Sequence, residues 1–180
     1  MHETPDDLAE LQGLLDRSFA RAGSHLLSIF DPSRRLDAAQ LSDILTGVCV
    51  LNLATVTAKG EPRVGPVDGH FHRGRWYFGS SPDSVRFMHI RARPAVSAAH
   101  TVGEQLAVVV HGAATIIDVL SPDQDAFRAQ LMETYGRNPA FGAYLQKHGM
   151  DWEDWFGGAL YARIDAEKMF TFHSSSPPED

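Results

Sequence analysis

The stretch Gly79-Ser80-Ser81-Pro82-Asp83-Ser84-Val85-Arg86 gathers serine hydroxyls and an arginine where a strand gives way to a helix. Ser80, Ser81 and Ser84 supply hydrogen-bond donors. The first turn of a helix adds backbone N–H groups that have no acceptor within the helix, and Arg86 can fork onto two oxygens. Such a set suits a phosphate. The same residues also suit a simpler task, because Ser-Pro-Asp starts many helices by N-capping. Arg63 is a second candidate cation. On a strand it shares a face with Gly65 and Val67, which makes it either a surface residue or a phosphate partner.

Other constellations are weaker. His70 and His72 project to one face of a strand with Asp68, a conceivable metal pair without a convincing third ligand. Exposed or ligand-lining histidines are the alternative. His89 and His148 fall on expected helices and read as solvated. His111 faces a ligand or the core. Cys49 lies in Val48-Cys49-Val50-Leu51 and reads as a buried, inert thiol. There is no Gly-x-Ser-x-Gly elbow, no Gly-x-Gly-x-x-Gly and no P-loop pattern, which argues against a serine hydrolase, a Rossmann site and an NTPase.

These residues need a scaffold. Leu8, Leu11, Leu15, Phe19, Ala22 and Leu26 make one apolar helical stripe over residues 6 to about 30. Asp37 caps a short helix, Ala38 to Thr46, which Gly47 ends. From residue 48 the pattern turns to strands: 48–57, 62–72 and 75–78, with turns at Lys59-Gly60 and Arg73-Gly74. Pro62 and Pro66 point to an edge, a bulge or close approach by a ligand. Strands at 95–101 and 105–117 follow, joined at Gly103. Helices are expected from Pro122 to Tyr135 and from Pro139 to Lys147. Two closing strands are expected at 160–164 and 169–172. Trp152, Trp155 and Phe156 are core, a dimer contact or a lid over a ring-shaped ligand. Consecutive strands with short turns predict a six- to seven-stranded antiparallel barrel, mainly β with added helices. One domain would span 1–173, with a helical extension at 1–36, a barrel core at 38–117, a helical insertion at 121–156, closing strands at 158–173 and a disordered tail at 174–180.

Composition agrees with a single packed domain: 180 residues, 43% apolar and 22% charged. A formal net charge of −7 speaks against a sequence-independent nucleic-acid footprint. No apolar run is long enough for a membrane span, and the acidic N-terminus does not look like a signal peptide. A cytoplasmic location is the expectation.

The order of features resembles a known family. Leu53-Ala54-Thr55-Val56, Lys59-Gly60-Glu61-Pro62, Trp76-Tyr77-Phe78, Ser84-Val85-Arg86 and Arg93-Pro94-Ala95-Val96-Ser97 together resemble the pyridoxamine 5′-phosphate oxidase-like superfamily of flavin-binding split β-barrels. The resemblance covers about residues 38 to 117 and, more weakly, the closing strands from 158. It implies a homodimer and an FMN phosphate gripped by Arg63, Ser80, Ser81, Ser84 and Arg86. Backbone groups near Thr55 and Val67, and the side chain of Gln105, would address the ring edge. Val85 and Asp68 stand where the pyridoxamine phosphate oxidases carry basic residues, so that particular activity is not implied. The resemblance points instead to a divergent oxidoreductase passing hydride between FMN and a small organic substrate. A deazaflavin (F420) reductase on the same fold, or a non-catalytic flavin, deazaflavin or haem binder, are the alternatives.

Overall fold

A computed structural model describes residues 2–174. The expected tail lies, from residue 175 on, outside the described residues. Helices α1 (Pro5–Ala20), α2 (Ser24–Ile29) and α3 (Ala38–Ile44) precede strands β1 (Cys49–Val56), β2 (Pro62–His72) and β3 (Arg75–Ser80). Helix α4 (Val85–Ala92) leads into β4 (Ala95–Val102) and β5 (Leu106–Ile117). Helices α5 (Asp125–Gly136), α6 (Pro139–His148) and α7 (Trp152–Gly157) come before the last strand, β6 (Leu160–His173). The six strands close into an antiparallel barrel in the order β1-β2-β3-β6-β5-β4. Around it wrap enough helices that the described residues are 41% helix and 34% strand.

Local chemistry explains most boundaries. Asp37 accepts from the Gln40 amide at 2.8 Å, and the Gln40 side chain accepts from the Asp37 amide in return, so α3 starts on a capping box. The β2–β3 hairpin turns through Arg73 and Gly74, both at positive φ, as a tight hairpin of right-handed twist requires.

Three expectations change. The single N-terminal helix is two, broken at Arg21-Ala22-Gly23, where glycine caps α2. Its stripe still works, since Leu11, Leu15 and Phe19 are buried. The two closing strands are one. Gly112 pairs with Ala166 and His111 with Lys168, so Glu167 is an extra residue that bulges without breaking β6. Helix α7 is a separate helix that the expected helical insertion does not resolve, although Asp151 and Asp154 form its capping box.

The barrel interior holds Leu51, Leu53, Phe71, Trp76, Phe78, Val108, Val110 and Ile164, with Phe87 and Ile90 of α4 inserted among them. A second apolar cluster lies outside the barrel. There Tyr77 of β3 and Tyr161 of β6 meet Phe127, Leu131 and Phe156 of the helical insertion.

Candidate functional site

Strands β2 and β3 pair only from His72↔Arg75 to Gly69↔Phe78. Beyond that point they part. Residues 62–68 remain paired with β1 alone, while Gly79 and Ser80 pair with β6. Pro62 and Pro66 sit on this one-sided stretch. Proline has no N–H to give a ladder, so both must occupy positions whose backbone faces away from β1. The Pro66 carbonyl confirms the direction, because it accepts a hydrogen bond from Arg86 Nη2 at 3.1 Å.

Helix α4 fills the opening. Phe87 and Ile90 bury its inner side. Arg86 and His89, three residues apart, share a second side. The guanidinium of Arg86 lies across Gly65, where an added Cβ would sit 3.5 Å from Nη2. The ring of His89 meets Thr55 Oγ1 at 2.9 Å. His89 is thus half-buried at the barrel mouth and not solvated as expected; exposed His148 is. Arg93 closes the far end of α4 by donating to the Val56 carbonyl at 2.9 Å.

At the start of α4, Ser84 occupies the N-cap position but its hydroxyl caps nothing. Ser84 Oγ is buried and has no hydrogen-bond partner among the described residues. A buried hydroxyl without a partner costs on the order of 1–3 kcal/mol, and capping therefore does not account for this serine. The turn before it is held by the Ser84 amide donating to the Ser81 carbonyl at 3.0 Å. The amides of Val85 and Arg86 have no acceptor within the helix. Ser80 is half-buried on the inner face of β3, and Ser81 is exposed. Ser80, Ser81, Ser84 and Arg86 therefore surround one helix start.

Not every candidate joins them. Arg63 lies on the inner face of β2 opposite Thr55, yet its guanidinium pairs with Glu61 at 2.9 Å and stays exposed. Val67 packs its side chain into the barrel core at 7% exposure. Since Pro66 faces away from β1, Val67 turns its amide toward Leu51, so neither part of it is free for a ring. Gln105 is in the β4–β5 turn, at the opposite end of β4 from α4, and is not brought to this group within one chain.

The histidines of β2 are not exposed. Among the described residues no group of three or more metal-ligating side chains is present. His70 and His72 lie beneath the helical insertion, at 1% and 3% exposure. His72 Nδ1 donates to Gln130 Oε1, which in turn anchors its amide nitrogen on the Phe71 carbonyl. His70 Nε2 stands 3.2 Å from the Tyr135 hydroxyl, and that hydroxyl donates to Asp68 Oδ2 at 3.2 Å. The phenol has one proton and gives it to the carboxylate, so the imidazole must donate to the phenol oxygen. This fixes a directional chain from His70 through Tyr135 to Asp68. Burial pushes the His70 pKa down to about 4, which keeps the ring neutral at pH 7. Burial also holds the Tyr135 phenol far above its ordinary range, with the Asp68 charge adding to the effect.

Elsewhere, His111 pairs with Ser97 Oγ at 2.8 Å. Cys49 is buried and its thiol is pushed up to about 11 by desolvation, which keeps it protonated at neutral pH. Trp152 and Trp155 are half-buried in the aromatic cluster of the insertion. No helix of the described residues is long and apolar enough to cross a membrane.

No family model matches the chain, and no curated protein does either. Solved structures do. A conserved hypothetical protein of Mycobacterium tuberculosis matches with a TM-score of 0.64 at 16% identity, over 84% of this chain and 95% of that one. A FAD-binding protein of Mesorhizobium loti matches with a TM-score of 0.51 at 26% identity, over 79% and 97%. A flavocytochrome of Azotobacter vinelandii matches with a TM-score of 0.56 at 14% identity, over 81% and 71%.

Proposed function

We propose that this chain, which has the split-barrel fold of the pyridoxamine 5′-phosphate oxidase-like superfamily, is a flavin-dependent oxidoreductase that passes hydride between FMN and a small organic substrate. The observation that carries the reading is Ser84 Oγ, buried and unpartnered one residue before the first turn of α4. A phosphate oxygen is the acceptor that this hydroxyl lacks. The free amides of Val85 and Arg86 and the hydroxyls of Ser80 and Ser81 supply further donors. Arg86 supplies the charge, and Arg63 joins it by leaving Glu61, an exposed pair of little strength. Two of the structural relatives, the FAD-binding protein and the flavocytochrome, give the reading its cofactor class.

When bound, the flavin would supply the hydride chemistry itself. The chain's task is then to hold and orient. Ser84 and Arg86 would hold the phosphate at the start of α4, and the one-sided stretch of β2 would offer its backbone to the ring. There the Val64 and Asp68 amides face away from β1, by the alternation that turns Pro66 that way. Because this grip addresses the phosphate and not the ring, it serves deazaflavin F420 equally, and an F420-dependent reductase is the second reading.

The outer face of β1 and β2 leaves Val50 at 50% and Val64 at 69% exposure. Apolar residues grouped on a sheet face call for a cover. A second copy of the chain is the proposed cover, with the ring held in the cleft between the two.

Native purification followed by an absorption spectrum and the mass of the released ligand tests the proposal. FMN with its isoalloxazine bands supports the first reading, and F420 supports the second. A Soret band without flavin or deazaflavin affinity would overturn both.

A further inference from the structure

The carboxylate of Asp68 stands where β2 and β3 part, one residue beyond their last pair. It is exposed, and among the described residues it has no cationic partner. Two phenols stand near it. Tyr135 holds one of its oxygens by a hydrogen bond of 3.2 Å and is itself fixed by His70. The Asp68 charge also bears on the Tyr161 phenol. From Tyr135 the aromatic surface continues, with the ring of Trp155 centred 4.9 Å away and that of Phe141 at 5.2 Å. The Phe141 and Trp155 rings are 5.0 Å apart. All three residues are half-buried.

A fixed carboxylate next to aromatic rings attracts positive charge in two ways. The carboxylate offers an ion pair, and the rings offer their negative faces. Anionic groups are repelled by the same arrangement. We propose that Asp68, with the Tyr135–Phe141–Trp155 wall, is a subsite for a cationic group of the substrate, a protonated amine or a quaternary ammonium. That the bound molecule is the substrate rests on the flavin reading above, since Asp68 follows the stretch of β2 assigned to the ring. The subsite itself depends only on these side chains. Tyr135 and His70 act as positioning residues, because they hold the carboxylate without meeting the cation.

The test uses choline and its uncharged isostere 3,3-dimethylbutan-1-ol, titrated into the full chain while tryptophan fluorescence is followed. Choline is expected to give a saturable change, with the isostere at least about tenfold weaker. Asp68→Asn is expected to remove that preference while leaving the melting temperature unchanged, since Asp68 is exposed. Tyr135→Phe is expected to weaken choline by a smaller factor, because it frees the carboxylate without removing it. No saturable choline response, equal binding of both probes, or an unaltered preference in Asp68→Asn overturns the proposal. A parallel titration with FMN and F420 separates the two readings. Choline binding without affinity for either cofactor removes the oxidoreductase and keeps the subsite; cofactor binding without choline binding does the reverse.

Discussion

Arg86 and Pro66 are joined across the opening of the barrel, with the guanidinium donating to the proline carbonyl at 3.1 Å. The bond ties the first turn of α4 to the part of β2 that has no second neighbour. It engages one nitrogen of the fork and leaves the others to reach an anion at the helix start. Arg86→Ala is therefore expected to reduce FMN or F420 affinity by about 2–3 kcal/mol, the size of a lost charge-assisted contact. Stability of the cofactor-free protein should change by well under that amount. Isothermal titration and urea unfolding of the same variant check the two parts, and unaltered cofactor affinity would remove Arg86 from the grip.

Ser84 separates a capping role from a binding role. An N-cap serine that bonds the helix loses about 1 kcal/mol of stability on conversion to alanine. Here the hydroxyl caps nothing and is buried without a partner. Ser84→Ala is expected to leave the cofactor-free protein as stable as before, or slightly more so, and to weaken cofactor binding. A clear fall in melting temperature with unchanged binding would return Ser84 to a structural role.

His70 makes stability sensitive to acid. Its pKa is about 4 in the folded chain, lowered from the ordinary 6.5 by burial. Between those values the unfolded chain binds the proton and the folded chain does not, so acid favours unfolding. This contribution is complete above about pH 6.5 and is lost as pH falls toward 4, by at most about 3–4 kcal/mol. His70→Gln keeps a donor for Tyr135 but does not titrate. Urea unfolding followed from about pH 7 to about pH 4.5 should show a smaller loss of stability in the variant than in the parent. Equal losses would mean that His70 titrates normally.

Gly69 is required by packing and not by a ligand. A Cβ there would lie 2.5 Å from Leu51 Cγ and 2.6 Å from the Cys49 carbonyl oxygen. The backbone oxygen cannot move without disturbing the β1–β2 ladder. Gly69→Ala is expected to cost about 2–3 kcal/mol in urea unfolding, whereas Gly65→Ala, whose nearest neighbour is the flexible Arg86 at 3.5 Å, should cost much less.

The barrel was legible because its hairpins are local. Turn residues such as Lys59-Gly60 and Arg73-Gly74 mark the strand ends, and β2 begins and ends at the expected residues. The bulge at Glu167 was not legible, since an extra residue in one strand breaks the alternation as a turn does. The start of α4 could be read as a phosphate site or a cap, and only the unpartnered Ser84 hydroxyl favours the former. Val67 is named by the resemblance for its backbone, and which way a strand amide points depends on its ladder partner, here Leu51 on β1. His70 and His72 were misjudged because their cover, Phe127, Gln130 and Tyr135, comes from far along the chain. No local pattern reports a contact of that separation.

The most direct test compares each ring with and without its phosphate. FMN against riboflavin, and F420 against its phosphate-free ring fragment, are titrated into the cofactor-free protein. For the cofactor used, the phosphate-bearing form is expected to bind about a hundredfold more tightly, with the advantage largely lost in Arg86→Ala. Equal affinity for the phosphate-free ring would contradict a grip at Ser84 and Arg86.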